Sequence, residues 1–297
     1  MRIRKMIGLF MALMLLAGCG RNTENTGSLN TETEVETQTD ETASLSTGPS
    51  VTITGFSAET DEAYDAFVIV GENHVTVIDT GLDENGEELV SFMKEQGISK
   101  VDNLIITHFD KDHVGGADHV INAFDIGTIY TTYKSKDSDQ IDNYLAALSS
   151  KGLTETVVTD EISFEMDGVS YDIYPPQSTT YEKDPSNNSS LVIMVSCGDN
   201  NMLFAGDAEK LRISELLEME DIQAEILKVP HHGRYEKNMA ALVEKVSPEY
   251  AIITSGTIEP EDAEVMQILE AAGVTTYLNR EGNITITMSP DNISITQ

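Results

Sequence analysis

Cysteine is almost missing from this chain: Cys19 and Cys197 are the only two among 297 residues. Cys19 falls in a segment read below as an export signal, which leaves Cys197 without an intramolecular partner. An exported domain built from this sequence must therefore stand on its own core, without a disulfide. Basic residues are also scarce, 18 Lys and Arg against 51 Asp and Glu, a formal net charge of −33. Setting aside Arg2, Arg4, Lys5 and Arg21, and Glu24, Glu32, Glu34, Glu36, Asp40 and Glu41, leaves 14 against 45 from Val51 onward, a net of −31. A surface that coats nucleic acid carries clustered Lys and Arg. Tight nucleic-acid binding is thus not expected, and an anionic substrate must be attracted locally against the overall field. The apolar run at residues 6–16 has eleven residues, whereas a bilayer-spanning helix needs about 20. No Ser-His-Asp or Cys-His system presents itself, and Cys197, at an apolar strand, reads as a small buried residue.

Arg2, Arg4 and Lys5 precede the apolar run, and Leu16-Ala17-Gly18-Cys19 closes it, the pattern of a processed export signal. The closing tetrapeptide resembles the lipobox of bacterial lipoproteins. That resemblance implies a signal peptide at 1–18, lipidation of Cys19 and anchoring at the extracytoplasmic face of the cell membrane. Residues 19–50 are rich in Thr, Glu, Asn and Ser and contain no aromatic residue. Such a stretch cannot bury enough apolar surface to offset its ordering entropy, so a disordered acidic tether is expected. Residues 51–297 are long enough for one large domain with a substantial core.

Within that domain, strands alternate with helices. Residues 67–70 and 74–78 read as a hairpin ending at Asp79-Thr80-Gly81, 87–96 as a helix stopped by Gly97, and 101–106 as a buried strand. A helix begins at Val114, another covers 141–148, and paired strands fall within 162–174. In the second half, 191–195, 202–204, 226–229 and 251–254 read as strands, 208–218, 239–246 and 265–271 as helices. Residues 275–278 and 284–288 are expected to close the domain as a hairpin. Walls of a pocket are expected from 133–143 and 179–188.

The chain has six histidines. His108 and His113 share the segment Thr107-His108-Phe109-Asp110-Lys111-Asp112-His113-Val114-Gly115-Gly116 with two aspartates. His231 and His232 are adjacent, leaving only His74 and His119 elsewhere. Imidazole nitrogens and ionised carboxylates grouped in this way are what a divalent cation requires. Asp79, His108, Asp207 and His232 each lie just past an apolar strand, the edge where layered α/β folds place their sites.

Asp79-Thr80-Gly81, the His108-to-Gly116 segment, Phe204-Ala205-Gly206-Asp207 and Val229-Pro230-His231-His232-Gly233 occur in the order of the metallo-β-lactamase-fold superfamily, which the chain resembles over roughly residues 51–297. More narrowly it is similar to the hydrolase domain of the ComEC competence proteins and their exported relatives. Those share Asp110 in place of the common second histidine, and the segment Asn187-Asn188-Ser189-Ser190-Leu191-Val192. The resemblance implies a four-layer αβ/βα sandwich with two mixed β-sheets and helices outside. It implies that His108 and Asp110 bind a first divalent metal ion, that Asp112, His113 and His232 (or His231 instead) bind a second, and that Asp207 bridges them. Asp79 would orient His108 or its loop. His231 would be a pocket residue and proton donor, and Asn187, Asn188 and Ser190 substrate contacts. An oxygen-rich first site favours manganese or magnesium without excluding zinc.

Two such ions lower the pKa of a water between them toward neutrality. The hydroxide would attack a phosphodiester of a nucleic acid, a nucleotide or an envelope phosphate, with Asp112, His231 and Asp79 as the catalytic set. Two alternatives use the same residues: hydrolysis of a β-lactam or lactone, and a lipid-anchored protein that binds metal without catalysis.

Overall fold

Alternation along the apolar strands decides the architecture. In the computed structural model, which describes residues 48–58 and 60–297, neighbouring residues of one strand point into different cores. Phe67, Ile69, Ile78 and Ile105 enter one cluster, while Val68, Val77, Leu104 and Ile106 enter another. A period of two on strands buried on both faces requires a layer on either side. The expected signal segment, Cys19 and the tether up to residue 47 lie outside the described residues. Pro49, in the segment assigned to the tether, lies against the domain, since Cys197 Sγ donates to Pro49 O at 3.4 Å.

In chain order the strands are β1 (Val51–Gly55), β2 (Ala66–Val70), β3 (Val75–Thr80), β4 (Lys100–Ile106), β5 (Asp125–Thr131), β6 (Glu155–Val157), β7 (Ile162–Met166), β8 (Val169–Tyr174), β9 (Val192–Cys197), β10 (Asn200–Phe204), β11 (Ile226–Lys228), β12 (Tyr250–Ile253), β13 (Thr275–Leu278), β14 (Ile284–Ser289) and β15 (Asn292–Thr296). One sheet has the order β15-β14-β1-β2-β3-β4-β5-β6 and the other β13-β12-β11-β10-β9-β8-β7. Both are mixed. The runs β3-β4-β5-β6 and β10-β11-β12-β13 are parallel, and the remaining pairs antiparallel.

The inner faces of the two sheets meet in one apolar cluster, where Phe67 of the first packs edge-on against Phe204 of the second at 5.1 Å between ring centres. Helices α1 (Gly86–Glu95), α2 (Lys111–Val114), α3 (Ala117–Ala123) and α4 (Asp139–Lys151) precede the second sheet; α5 (Lys210–Glu218), α6 (Met239–Val246) and α7 (Ala263–Ala271) are interleaved with it. Leu89, Val120 and Tyr144 pack with the outer face of the first sheet, Ile213, Leu242 and Leu269 with that of the second. The architecture is therefore helices, sheet, sheet, helices. Local signals end the helices where the composition predicts. Ser138 Oγ accepts from Ile141 N at the start of α4, and Gly152, at φ 65°, ends it.

The expected closing hairpin does not form. Residues 275–278 become β13, parallel to β12 in the second sheet, whereas 284–289 cross to the first sheet as β14 between β1 and β15. The hairpin actually made is β14–β15. A period-two pattern gives a strand and its faces, not the sheet it joins.

Candidate metal centre

The parallel runs bring their carboxyl ends to one edge of the sandwich. Asp79 lies at the end of β3, His108 to His113 follow β4, Asp207 follows β10, and His231 and His232 follow β11. The Gly-Gly of the sequence motif makes this packing possible. A Cβ on Gly116 would stand 2.4 Å from Thr80 O, closer than real contacts allow, so only glycine lets the 107–116 loop seat on β3.

Four side chains converge. Asp112, His113, Asp207 and His232 each offer a donor atom within 4.8 Å of the others. His232 Nε2 is 3.1 Å from Asp112 Oδ2 and 3.2 Å from Asp207 Oδ2. His113 Nε2 is 3.3 Å from the same Asp207 oxygen and 3.9 Å from Asp112 Oδ2. A tetrahedral ion bound at about 2.0–2.1 Å sets its donors about 3.3 Å apart, so these spacings suit a cation. His108 Nε2 lies on the other side, 3.9 Å from Asp207 Oδ2 and 4.0 Å from Asp110 Oδ2. Asp207 is thus shared between the two groups.

Unmet valence supports the same reading. His108 Nε2, His113 Nε2 and Asp207 Oδ1 are buried and have no hydrogen-bond partner. Buried nitrogen and oxygen atoms left unpaired are costly; divalent cations at the two groups would take up the two imidazole nitrogens, and Asp207 Oδ1 stands 3.6 Å from Lys228 Nζ. Electrostatics agrees. Burial alone would depress His113 and His232, yet Asp207 and its neighbouring carboxylates hold both imidazoles well above their ordinary pKa. Burial would raise Asp207, but His113 and His232 keep it well below the usual carboxylate range. His108 is pushed down by burial and by the nearby His113. The pocket asks for positive charge.

Further residues fix the orientation of the donors. Asp79 accepts from Thr107 N at 2.7 Å, from Thr107 Oγ1 at 2.6 Å and from His113 Nδ1 at 2.8 Å. It therefore places the proton of His113 on Nδ1 and leaves Nε2 for a ligand. Sequence reasoning assigned Asp79 to His108 or its loop. The direct contact is to His113, and His108 Nδ1 is reached through Thr107 Oγ1, 3.1 Å away. Replacing Asp79 by Asn is expected to weaken divalent-metal affinity about 10–100-fold, measured by competition with a chromophoric chelator. Unchanged affinity would remove Asp79 from the centre.

His232 Nδ1 donates to Thr254 Oγ1 at 3.1 Å, and Thr254 Oγ1 donates to Asp65 Oδ1 at 2.6 Å. The other Asp65 oxygen pairs with Lys228, whose Nζ donates to Gly206 O at 3.0 Å and stands 3.6 Å from Asp207 Oδ1. Asp65, Lys228, Thr107 and Thr254 escaped sequence reasoning. Lys228 alone carried a local signal, an ammonium at the end of an apolar strand.

The adjacent histidines part company. His231 Nε2 is 3.3 Å from Asn187 Nδ2 and its Nδ1 3.6 Å from Glu209 Oε1, outside the donor group that His232 joins. Burial and its neighbours push Glu209 up to about 7. Asp79, His231 and His232 all adopt left-handed backbone, φ 55°, 50° and 52°. Non-glycine residues there cost about 1–3 kcal/mol each and persist where the surroundings over-determine them, commonly at functional sites. Asn187 Nδ2 donates to Glu209 Oε1 at 2.8 Å, and its Oδ1 is buried and unpaired. Asn188 and Ser190, expected as substrate contacts, are placed otherwise. Asn188 is buried with its Oδ1 accepting from Arg212 N and its Nδ2 donating to Lys183 O and Asp184 O, so no polar atom is free. Ser190 Oγ is buried and accepts from Asp207 N at 3.0 Å, supporting the Asp207 turn from behind.

The fold and this edge define a hydrolase of a metal-binding superfamily. Residues 60–256 match the Metallo-beta-lactamase superfamily, and the chain belongs to it; proteins of this fold bind divalent metals, and the His/Asp groups above could hold one. Among curated relatives, ComE operon protein 3 of Bacillus subtilis (strain 168) is 25% identical over 227 residues, 70% of this chain and 29% of that protein. Recombination protein 2 of Haemophilus influenzae is 28% identical over 200 residues, 66% of this chain and 23% of that protein. The chain thus spans less than a third of the length of these relatives. Of solved structures, the metallo-beta-lactamase fold protein YhfI of Bacillus subtilis superposes with TM-score 0.52 at 11% identity, covering 84% of this chain and 100% of that one. A diphosphatase of the PhnP family gives 0.50 at 13% identity, covering 81% and 98%. These superpositions establish the fold.

Proposed function

We propose that the protein is a metal-dependent phosphodiesterase, held at the outer face of a membrane by lipid on Cys19. The observation that carries the reading is the convergence of four donors, Asp207 among them, with the imidazole nitrogens of His108 and His113 left unpaired. His108, Asp110 and Asp207 would hold a first divalent ion, and Asp112, His113, His232 and Asp207 a second, zinc or manganese, with magnesium also compatible. When bound, such ions supply Lewis acidity and make a water acidic enough to act as a nucleophile near neutral pH. The protein's own groups do the rest. Asp79 and Thr254 hold His113 and His232 in orientation. Lys228 offsets part of the carboxylate charge at Asp207. His231 stands beside the donors with Nε2 accepting from Asn187 Nδ2, and a proton taken up at that lone pair could be passed to a leaving group. The relative named for recombination and the PhnP-family diphosphatase among the fold neighbours are in keeping with phosphoester chemistry.

Purified protein is expected to hydrolyse bis(p-nitrophenyl) phosphate with manganese or zinc, to stop on addition of chelator and to recover when metal is restored. Metal binding without turnover of any phosphate ester would overturn the proposal and favour a metal-binding protein. Turnover of nitrocefin or a lactone in place of the diester would favour the cyclic-amide or lactone reading. For the anchor, Cys19→Ala is expected to shift the protein from the membrane pellet to the soluble fraction. An unchanged pellet fraction would exclude lipidation at Cys19.

A further inference from the structure

Beside the His108 side of the centre lies a cavity of about 250 Å³ bounded by Asp110, Ser135, Lys136, Pro185, Ser186 and Asn187. The loop after β4 supplies Asp110, the loop after β5 supplies Ser135 and Lys136, and the segment before β9 supplies Pro185, Ser186 and Asn187. Lys136 Nζ is 2.5 Å from Asp110 Oδ1, and Ser186 Oγ donates to the same oxygen. Asp110 Oδ2 points the other way, to within 4.0 Å of His108 Nε2. One carboxylate thus separates the unpaired imidazole nitrogen from a 41% exposed ammonium.

That ammonium is unusual in its surroundings. The domain carries 14 basic against 45 acidic residues from Val51 onward. The other exposed pairs Lys100–Asp102, Lys111–Glu62 and Arg234–Glu259 end on carboxylates outside the centre. Lys136 is therefore the exposed cation in this cavity, in a chain whose overall field repels anions. A cation bound at His108 and Asp110 would draw on the charge of Asp110 and loosen its hold on Lys136. An ammonium with two serine hydroxyls beside it then suits the oxygens of a phosphate. Asp184 also lines the cavity. This negative charge and the small volume disfavour a long polyanion and suit a compact ester with one phosphate. An uncharged lactam or lactone would gain nothing from Lys136.

Resting on the phosphodiester reading, we propose that Lys136 is the anion-binding residue of the site and selects small phosphate esters as its substrate class. The test compares wild type, Lys136→Gln and Lys136→Arg at saturating manganese, with metal content measured for each. Losing one charge-assisted hydrogen bond should raise KM for bis(p-nitrophenyl) phosphate about tenfold or more, with a smaller change in kcat. Binding of inorganic phosphate, followed by calorimetry, should weaken by the same factor, and Lys136→Arg should restore most of both. Equal phosphate affinity in wild type and Lys136→Gln at equal metal content overturns the proposal, as does a variant altered in metal uptake alone. If wild type cleaves no phosphodiester, the functional reading fails by itself, and the phosphate calorimetry still decides whether Lys136 binds anions.

Discussion

Replacing Asp207 by Ala is expected to lower kcat/KM for a phosphodiester by about 10³–10⁴-fold. Among the described residues, Asp207 is the one carboxylate near all three imidazoles of the centre: 3.3 Å from His113 Nε2, 3.2 Å from His232 Nε2 and 3.9 Å from His108 Nε2. Its loss would remove a ligand from both proposed ions at once. Paired ions contribute several kcal/mol of stabilisation where charge develops, and each 1.36 kcal/mol is tenfold in rate. Metal content by elemental analysis should fall in parallel, from about two ions per chain to one or none. Asp207→Asn separates charge from shape. It keeps the backbone turn, whose amide donates to Ser190 Oγ, yet loses the anion, so it should resemble Asp207→Ala in metal content while retaining the wild-type secondary structure by circular dichroism. Near-wild-type turnover in either variant would remove Asp207 from the chemistry and with it the shared-carboxylate arrangement.

How much of this was visible beforehand depends on the distance over which each residue acts. The 107–116 segment was legible because its donors are local: a buried strand delivers them to one edge, and His108, Asp110, Asp112 and His113 are within six positions. The layered architecture was legible for a similar reason, since β2, β3, β4, β10 and β11 each carry a period-two or continuous apolar pattern. Asp65 had no such signal. It sits in the unremarkable run Tyr64-Asp65-Ala66, and its partner Thr254 is 189 residues away. Only the pairing of the two sheets makes it part of the centre. The misplaced closing hairpin has the same origin. Residues 275–278 and 284–288 are near in sequence, but the choice between neighbouring β12 and neighbouring β1 is made by long-range packing. Asn188 and Ser190 show a different limit. Polar residues beside a site face ligand or brace the backbone behind it, and burial decides which. Here Arg212, itself buried, takes the Asn188 carbonyl with its backbone amide and donates from Nε to Ser190 O.

Lys228→Met is expected to destabilise the metal-free protein by about 3–5 kcal/mol, the usual consequence of breaking a buried ion pair by removing one partner. Lys228 is fully buried on β11. Burial would push its pKa down, but Asp65 and Asp207 reverse this and hold it above the ordinary lysine value. The lysine therefore stays charged and does two things. It neutralises Asp65, and its Nζ donates to Gly206 O, fixing the turn that presents Asp207. Methionine keeps the volume of the stem and removes both. For a domain of this size the loss corresponds to a melting temperature lower by roughly 6–20 °C. Divalent metal should recover part of the difference, because a cation near Asp207 supplies positive charge where the ammonium stood 3.6 Å away. It cannot reach the Asp65 oxygen that Lys228 occupied. A double-mutant cycle isolates that remainder. If the pair is the cause, Asp65→Leu in the Lys228→Met background should cost far less than Asp65→Leu alone. Some loss must persist, since Thr254 Oγ1 would lose its acceptor and His232 its brace. Simple additivity of the two substitutions, or a Lys228→Met melting temperature within 2 °C of wild type (a shift that would correspond to about 1 kcal/mol or less), would show that the buried ammonium is dispensable. The acidic centre would then have to be held together by its histidines alone.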